Sequence, residues 1–336
     1  MRLVVVMVNY KTPDLVADCL DTLIEQLEPG KDIVSIVDNC SGDDSADQIE
    51  AFVKERGYED RVDLIRSPVN CGFAGGNNVA IEKYKPDYWL LLNSDTLVRP
   101  NAIKELLTAI EKYPEVGIMS PRLEWPDETP QISCFNYLSP VSEFLASART
   151  GLFTKLFKKF NVPIDVKDEP YPCQWTTFAC ALIRGDVMEQ VGMLDDGYFM
   201  YFDDVDYCRR AGKKGWKVMN WPAARVVHLR GKSSPVKTLA AQRKRRPRYF
   251  FESRTRYFAK FYGWPGLVFT NCCWLVGRGV SFIREILRTK EPHTCERESF
   301  DIWINNMNPM RQPDLPAPPK QSPAPPIAAT PAGANA

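Results

Sequence analysis

Residues 88–95 (YWLLLNSD) set an acid, Asp95, directly after a continuous apolar run. Such a run reads as a strand buried on both faces, so the carboxylate leaves its carboxyl end, where open α/β sheets bind ligands. An acid there can hold a metal ion, although the same residue type also caps helices and turns. Asp203 and Asp204 open a second acidic run, 203–206 (DDVD), at the start of a helical pattern in which Val205, Cys208 and Ala211 recur every three residues. That run serves as a helix cap, with Asp203 as N-cap, or as a general base if the aromatic stretch 198–202 (YFMYF) leads the chain into a cleft. His228, one of two histidines, ends a strand pattern at 225–228. An imidazole with one carboxylate suits Mn²⁺ or Mg²⁺ only where substrate oxygens complete the shell, as those of a diphosphate do.

Residues 70–78 (NCGFAGGNN) lie between a strand pattern and a helical run. Their glycines permit close backbone approach, and the helix start can face a phosphate. The spacing of Gly72, Gly75 and Gly76 is not G-x-G-x-x-G, and the first strand ends in Asn9, Tyr10 and Lys11 instead of a glycine turn, which disfavours a dehydrogenase. No P-loop pattern occurs, and the glycine-rich, Arg-containing loop of a sugar nucleotidyltransferase is missing after the first strand.

These residues must be placed by the elements around them. Strand runs at 3–8, 33–37, 62–65, 88–92 and 116–119 alternate with helical patterns over the first 120 residues, which implies a mostly parallel sheet with right-handed crossovers. Asn9 and Tyr10, Asp38 and Asn39, the 72–78 loop and residues 93–95 all fall just past strand ends. In such a sheet they converge on one edge. A second region, 173–228, adds a strand pattern at 174–183, a short helix after Gly185, the acidic helix, and strand patterns at 217–221 and 225–228.

The 43 basic and 42 acidic residues nearly cancel, which gives no global reason to expect a nucleic-acid partner. From 237 to 260, however, there are nine Lys or Arg against one acid, Glu252, a net of +8. An apolar stretch, 264–287, follows; it is about long enough to span a bilayer. Within it Asn271, Arg278 and Glu285 recur every seven residues as a polar stripe, which points to an interfacial helix, with a helix packed on its own domain as the plainer reading. Ten cysteines lack zinc-site spacing and disulfide density, as in a reducing compartment. The start of the chain, six apolar residues running into Asn9 without a small-residue cleavage site, is expected to be a buried strand and not a signal peptide.

The ordered motifs 8–12 (VNYKT), 37–41 (VDNCS), 70–78, 92–96 (LNSDT), 192–209 (GMLDDGYFMYFDDVDYCR) and 222–228 (PAARVVH) resemble the inverting, GT-A-fold glycosyltransferases of family 2, in particular the rhamnosyltransferase-like branch of bacterial surface polysaccharide synthesis. The resemblance covers roughly 3–263. It implies a D-x-D-type element at 93–95 with Asp95 as metal-binding acid, Asp38 at the nucleotide base or ribose, Asp204 as catalytic base with Asp203 beside it, and His228 completing a site for Mn²⁺ or Mg²⁺. Asn9, Tyr10, Asn39, Gly72, Gly76, Asn77 and Asn93 complete the expected donor-binding set. The first D-x-D position is Asn93, which leaves fewer charges on the metal, and Ala179 before Cys180 departs from the usual Gly-Ala on the acceptor side.

The expected organisation is a catalytic domain over 1–235, a basic and amphipathic helical region over 236–305 associated with the membrane, and a disordered Pro/Ala-rich tail over 306–336. The expected partners are a nucleoside-diphosphate-sugar donor, a saccharide or lipid-linked saccharide acceptor and an anionic membrane, on the cytoplasmic side. The alternative is a non-catalytic nucleotide-sugar-binding or scaffold protein of a polysaccharide assembly complex.

Overall fold

The computed structural model of the chain describes residues 1–229 and 236–317. Its first part runs β1 (Leu3–Asn9), α1 (Pro13–Leu23), β2 (Asp32–Asp38), α2 (Ser45–Glu55), β3 (Val62–Arg66), α3 (Gly72–Ile81), β4 (Tyr88–Leu92), β5 (Thr96–Val98), α4 (Ala102–Lys112) and β6 (Val116–Glu124). The middle part comprises β7 (Cys134–Phe135), α5 (Pro140–Ala148), α6 (Gly151–Leu156), β8 (Tyr171–Cys173), β9 (Trp175–Thr176), β10 (Cys180–Arg184) and α7 (Gly185–Val191). The acidic helix α8 (Asp203–Lys213), β11 (Lys217–His228), α9 (Val236–Ala241), α10 (Arg248–Ile286) and α11 (Glu298–Asp301) complete it.

The apolar runs pair into a nine-stranded sheet in the order β3-β2-β1-β4-β10-β6-β11-β5, with β8 added to β11. Its first half, β3 to β4, is parallel as the alternation implies. Its second half is mixed, because β10 runs antiparallel to both β4 and β6. After β1 the chain builds outward to β2 and β3, then returns to place β4 on the other side of β1. The crevice at that reversal is where such sheets bind ligands. Valine, isoleucine and leucine from both faces of the central strands fill two apolar layers, one around Leu3, Val5, Leu90 and Leu182 and one around Val4, Val6, Leu91 and Ile183.

Three expectations change. The strand pattern at 174–183 is split into β9 and β10: Trp175 leaves the main sheet to stack on Phe135 in the two-stranded β7-β9 sheet, ring centroids 4.3 Å apart. The basic segment is engaged in part with the protein itself, while Lys237, Arg243, Lys244, Arg245 and Arg248 stay exposed. Arg245 pairs with Asp301, Arg246 with Glu298, Arg254 with Glu143, Arg256 with Asp195, and Lys260 with both Asp195 and Asp206. Residues 306–317 also belong to the body, since Trp264 Nε1 donates to the Asn306 carbonyl and Arg256 Nη1 to that of Met310; the rest of the expected tail, 318–336, lies outside the described residues.

These contacts make the 236–305 region a buttress for the acidic helix. Tyr257 and Phe258 of α10 pack with Tyr198 and Val205. Burial opposes ionisation of Asp195, but Arg256 and Lys260 prevail and hold its carboxyl down to about 2. Its share of stability is therefore present above the unfolded carboxyl value and is lost as pH falls toward 2. Helix α10 itself breaks at Gly263, whose φ of 70° few other residues adopt, just before Pro265, which has no N–H to continue the ladder.

Candidate active site

The carboxyl ends of β1, β2 and β4, the start of α3, the approach to α8 and the end of β11 surround one cavity of about 870 Å³. Tyr10, Asn39, Gly72, Asn93, Asp95, Asp203, Asp204 and His228 all line it. Strand pairing explains the closest of these juxtapositions. Antiparallel β5 and β11 set His228 opposite Thr96, so the imidazole Nε2 stands 3.5 Å from Asp95 Oδ1.

Asp95 is only 1% exposed, yet neither of its side-chain oxygens has a hydrogen-bond partner; Asn93 Oδ1, Thr177 Oγ1 and His228 Nδ1 are also buried and unpartnered. Buried polar atoms without partners are rare, and a cluster of them on one cavity wall marks a place where an absent group completes the bonding. The donor set suits a hard divalent cation. Among the described residues no third His, Cys, Asp or Glu joins the pair, so such an ion would draw further ligands from substrate oxygens.

Four expected donor contacts stand behind the wall. Asp38 accepts from Asn9 Nδ2 at 2.8 Å and from Ser41 Oγ at 2.5 Å, and Asn9 Oδ1 accepts from the Thr12 N–H, so this pair shapes the β1 and β2 turns. Gly76 packs against Val8, and Asn77 Nδ2 donates to the Phe73 carbonyl. The α3 start does not offer its N–H groups to a phosphate. The Cys71 N–H donates to Asn39 Oδ1, that of Gly72 to Asn70 Oδ1, and that of Phe73 to the Phe199 carbonyl at 2.7 Å. The close approach that the glycines allow is thus to the protein's own aromatic run.

Gly72 is where that approach is tightest. Its φ is +71°, and a Cβ there would stand 1.9 Å from the Phe199 carbonyl oxygen. Gly72→Ala is expected to lower stability by ~2 kcal/mol or more, from left-handed strain plus the clash, and to displace the run leading to Asp203. Urea unfolding checks it, and a midpoint equal to the parent's would remove this constraint.

That run ends in two successive residues with positive φ, Tyr201 at 68° and Phe202 at 66°. Neither is glycine, and each such residue stores on the order of 1–3 kcal/mol, which proteins keep mainly where geometry is functional. Phe202, and not Asp203, is the N-cap of α8. Asp203 is 4% exposed and Asp204 half-buried, with Asp204 Oδ1 accepting from the Val205 N–H at 2.8 Å. Burial pushes the Asp204 carboxyl up to about 7; burial and then the Asp204 charge raise that of Asp203 well above the usual carboxylate range. A cap acid would shift the other way. Asp206 is the structural acid of the run: Tyr198 Oη donates to it at 3.1 Å, and Arg210 and Lys260 pair with it.

Thr177 belongs to the segment around Ala179 and Cys180 expected on the acceptor side, and it lines the cavity; sequence reasoning missed Lys237, Tyr249 and Phe250, which reach the same cavity from beyond β11. No spacing rule connects them to Asp95. Only the aromatic content of 249–251 hinted at packing against the YFMYF run, where Phe250 now meets Tyr201 and Phe202 at ring-centroid distances of 5.8 Å.

With this geometry described, comparison with known proteins is informative. Residues 4–160 match the family model for "Glycosyl transferase family 2", and residues 88–290 that for "Glycosyl transferase family group 2". The chain is 31% identical over 168 residues to the N-acetylglucosaminyl-diphospho-decaprenol L-rhamnosyltransferase of Mycobacterium tuberculosis, covering 48% of this chain and 54% of that protein. It is 30% identical over 168 residues to the rhamnosyltransferase WbbL of Escherichia coli, covering 47% and 60% respectively. The match thus spans little more than half the length of these curated relatives. Among solved structures, the mannosyltransferase PcManGT from Pyrobaculum calidifontis, in complex with GDP-Man and Mn²⁺, superposes with a TM-score of 0.56 at 15% identity over 91% of this chain and 87% of that one. At that identity the likeness is one of fold, the GT-A architecture.

Proposed function

The chain belongs to glycosyltransferase family 2, and on that premise we propose that it moves a sugar from a nucleoside-diphosphate donor to an acceptor hydroxyl, with inversion at the anomeric carbon, in bacterial surface polysaccharide synthesis. The observation that carries this reading is the unpartnered Asp95 cluster on the wall of the cavity that also holds a raised, half-buried Asp204. Asp204 takes the proton of the acceptor hydroxyl as its oxygen bonds to the anomeric carbon. The bond from that carbon to the donor phosphate breaks, and its electron pair leaves with the nucleoside diphosphate. A divalent cation held by Asp95 and His228 would supply neutralisation of the diphosphate charge. Tyr10, Asn39 and Asn93 position the donor, and Phe135 and Trp175 offer a stacked aromatic wall to a sugar face.

The finer assignments are carried from the relatives. Their names support rhamnosyl transfer and, for the mycobacterial protein, a lipid-linked acceptor. On this reading the enzyme works on the cytoplasmic side of the membrane, where nucleotide sugars are available and such an acceptor is anchored. The test is a thermal-shift panel of UDP-, dTDP-, GDP- and CDP-sugars with and without Mn²⁺. One donor is expected to raise the melting temperature in a metal-dependent way, since a ligand at 100 times its Kd stabilises by ~2.7 kcal/mol. No metal-dependent shift with any donor would reject the transferase reading; a shift without turnover on any acceptor extract would favour the scaffold alternative.

A further inference from the structure

The second half of α10 is turned inside out for a helix in water. Its inward face carries the polar residues. Thr270, Asn271 and Ser281 are fully buried, Asn271 accepts from Arg254 Nη1 at 2.7 Å, and Arg278 pairs with Glu285 at 2.9 Å. The outward face carries Phe269, Val276, Phe282, Ile283, Ile286 and Leu287, each between 53 and 65% exposed. No exposed residue from 264 to 287 is charged. The heptad polar stripe of the sequence is therefore the protein-facing side, and the helix does not span a bilayer on its own, because that side is bonded to the domain.

A second segment lies against the same end. Phe144 of α5 meets Phe153 and Phe157 edge-on, Arg284 donates to the Arg149 carbonyl and Lys290 to that of Ala148. Helix α6 exposes Leu152 at 73% and Leu156 at 69%. Around them the stretch 144–164 has Arg149, Lys155, Lys158 and Lys159 and no acid, and all three lysines are exposed without an acidic partner among the described residues. An apolar face bordered by unpaired lysines fits a bilayer surface of anionic lipid, the lysines meeting headgroups while the aliphatic and aromatic side chains enter the acyl boundary. A second copy on this face would set like charges against each other.

We propose that α6 and the outer face of the second half of α10 form one in-plane membrane-docking surface for anionic lipid, to which the buried Arg254 and Arg256 of the basic segment contribute nothing. The proposal rests on the membrane-side placement given above and names the surface responsible. Leu138, which lines the cavity, lies just ahead of α5, and that helix is only ~13 Å long, so the apolar wall of the cavity stands near the docked face.

Removing 264–336 would take Leu267 from Phe258, Trp274 from Phe251 and Asn271 from Arg254, uncovering those buried residues of the first half of α10, so surface substitutions make the cleaner test. The full chain is sedimented with vesicles of equal phosphatidylglycerol and phosphatidylcholine, and with phosphatidylcholine alone, alongside V276E/I283E and K155E/K158E/K159E; the donor-dependent thermal shift is read on the same samples. The parent is expected to bind the anionic vesicles. Both variants should bind at least ~10-fold more weakly with an unchanged donor shift, and part of the parent's binding should persist in 0.5 M salt. Loss of the donor shift with vesicle binding intact would fault the transferase reading while supporting this surface. A parent that stays soluble, variants that sediment like the parent, or binding wholly abolished by salt would overturn the proposal. So would a dimer in sedimentation velocity that V276E/I283E dissolves, which assigns the face to a second copy, or binding gained only on cutting after Ala317, which assigns it to residues 318–336.

Discussion

Asp204→Asn is expected to lower sugar transfer by ~10² or more while leaving donor-dependent stabilisation intact, because it keeps size and hydrogen bonding but removes the charge a general base needs. The structure sharpens the expectation by giving it a pH signature. Burial holds the Asp204 carboxyl near 7, so transfer should rise through about pH 7 and level off above it, and the variant should lose that limb along with its rate. The same shift has a stability consequence of opposite sign. Between the unfolded carboxyl value and about 7, the folded chain keeps a proton that the unfolded chain has released, so this acid subtracts stability as pH rises across that window. Asp203→Asn is the control. Asp203 is the more buried, and burial together with the neighbouring Asp204 charge raises its carboxyl well above the usual range. Adjacent helical residues point about 100° apart, so both cannot aim at one hydroxyl. Abolished transfer in Asp203→Asn with activity kept in Asp204→Asn exchanges the roles; activity kept in both moves the base elsewhere.

How much of this was legible in the sequence depended on range. The parallel half of the sheet was readable because each buried strand is a short apolar run closed by a polar residue, and the β1 to β4 reversal follows from connection rules. Asp95 and His228, 133 positions apart, could be paired only through family likeness, since the β5 and β11 register that joins them leaves no periodic trace. The direction of a charge was the least legible property of all. The net +8 of 237–260 gives no sign that Glu143, Asp195, Asp206, Glu298 and Asp301 wait elsewhere to pair with five of its nine cations. The heptad of Asn271, Arg278 and Glu285 fixes a polar face without saying whether water or protein lies against it. Loop 70–78 shows the same limit: its glycines mark a close approach correctly, but the partner, the Phe199 carbonyl, is 127 residues away from Gly72.

Asp95→Ala separates function from stability most cleanly. In the parent both carboxylate oxygens are buried without a donor, an arrangement that natural proteins retain where a ligand completes it. Removing the side chain relieves that unmet need, so the variant should melt no lower than the parent when neither metal nor donor is present. With donor and Mn²⁺ the order reverses. The parent should gain the stabilisation that mass action gives a bound ligand, ~2.7 kcal/mol at 100 times its Kd, and Asp95→Ala should gain little of it, because no other acid among the described residues stands with His228 to anchor the ion. His228→Ala should lose less, since the charge that balances the ion remains and substrate oxygens can fill the vacated position. Should Asp95→Ala instead melt well below the parent without ligand, and still respond to donor and Mn²⁺ as the parent does, the cluster would be part of the framework and the metal would have to sit elsewhere in the cavity.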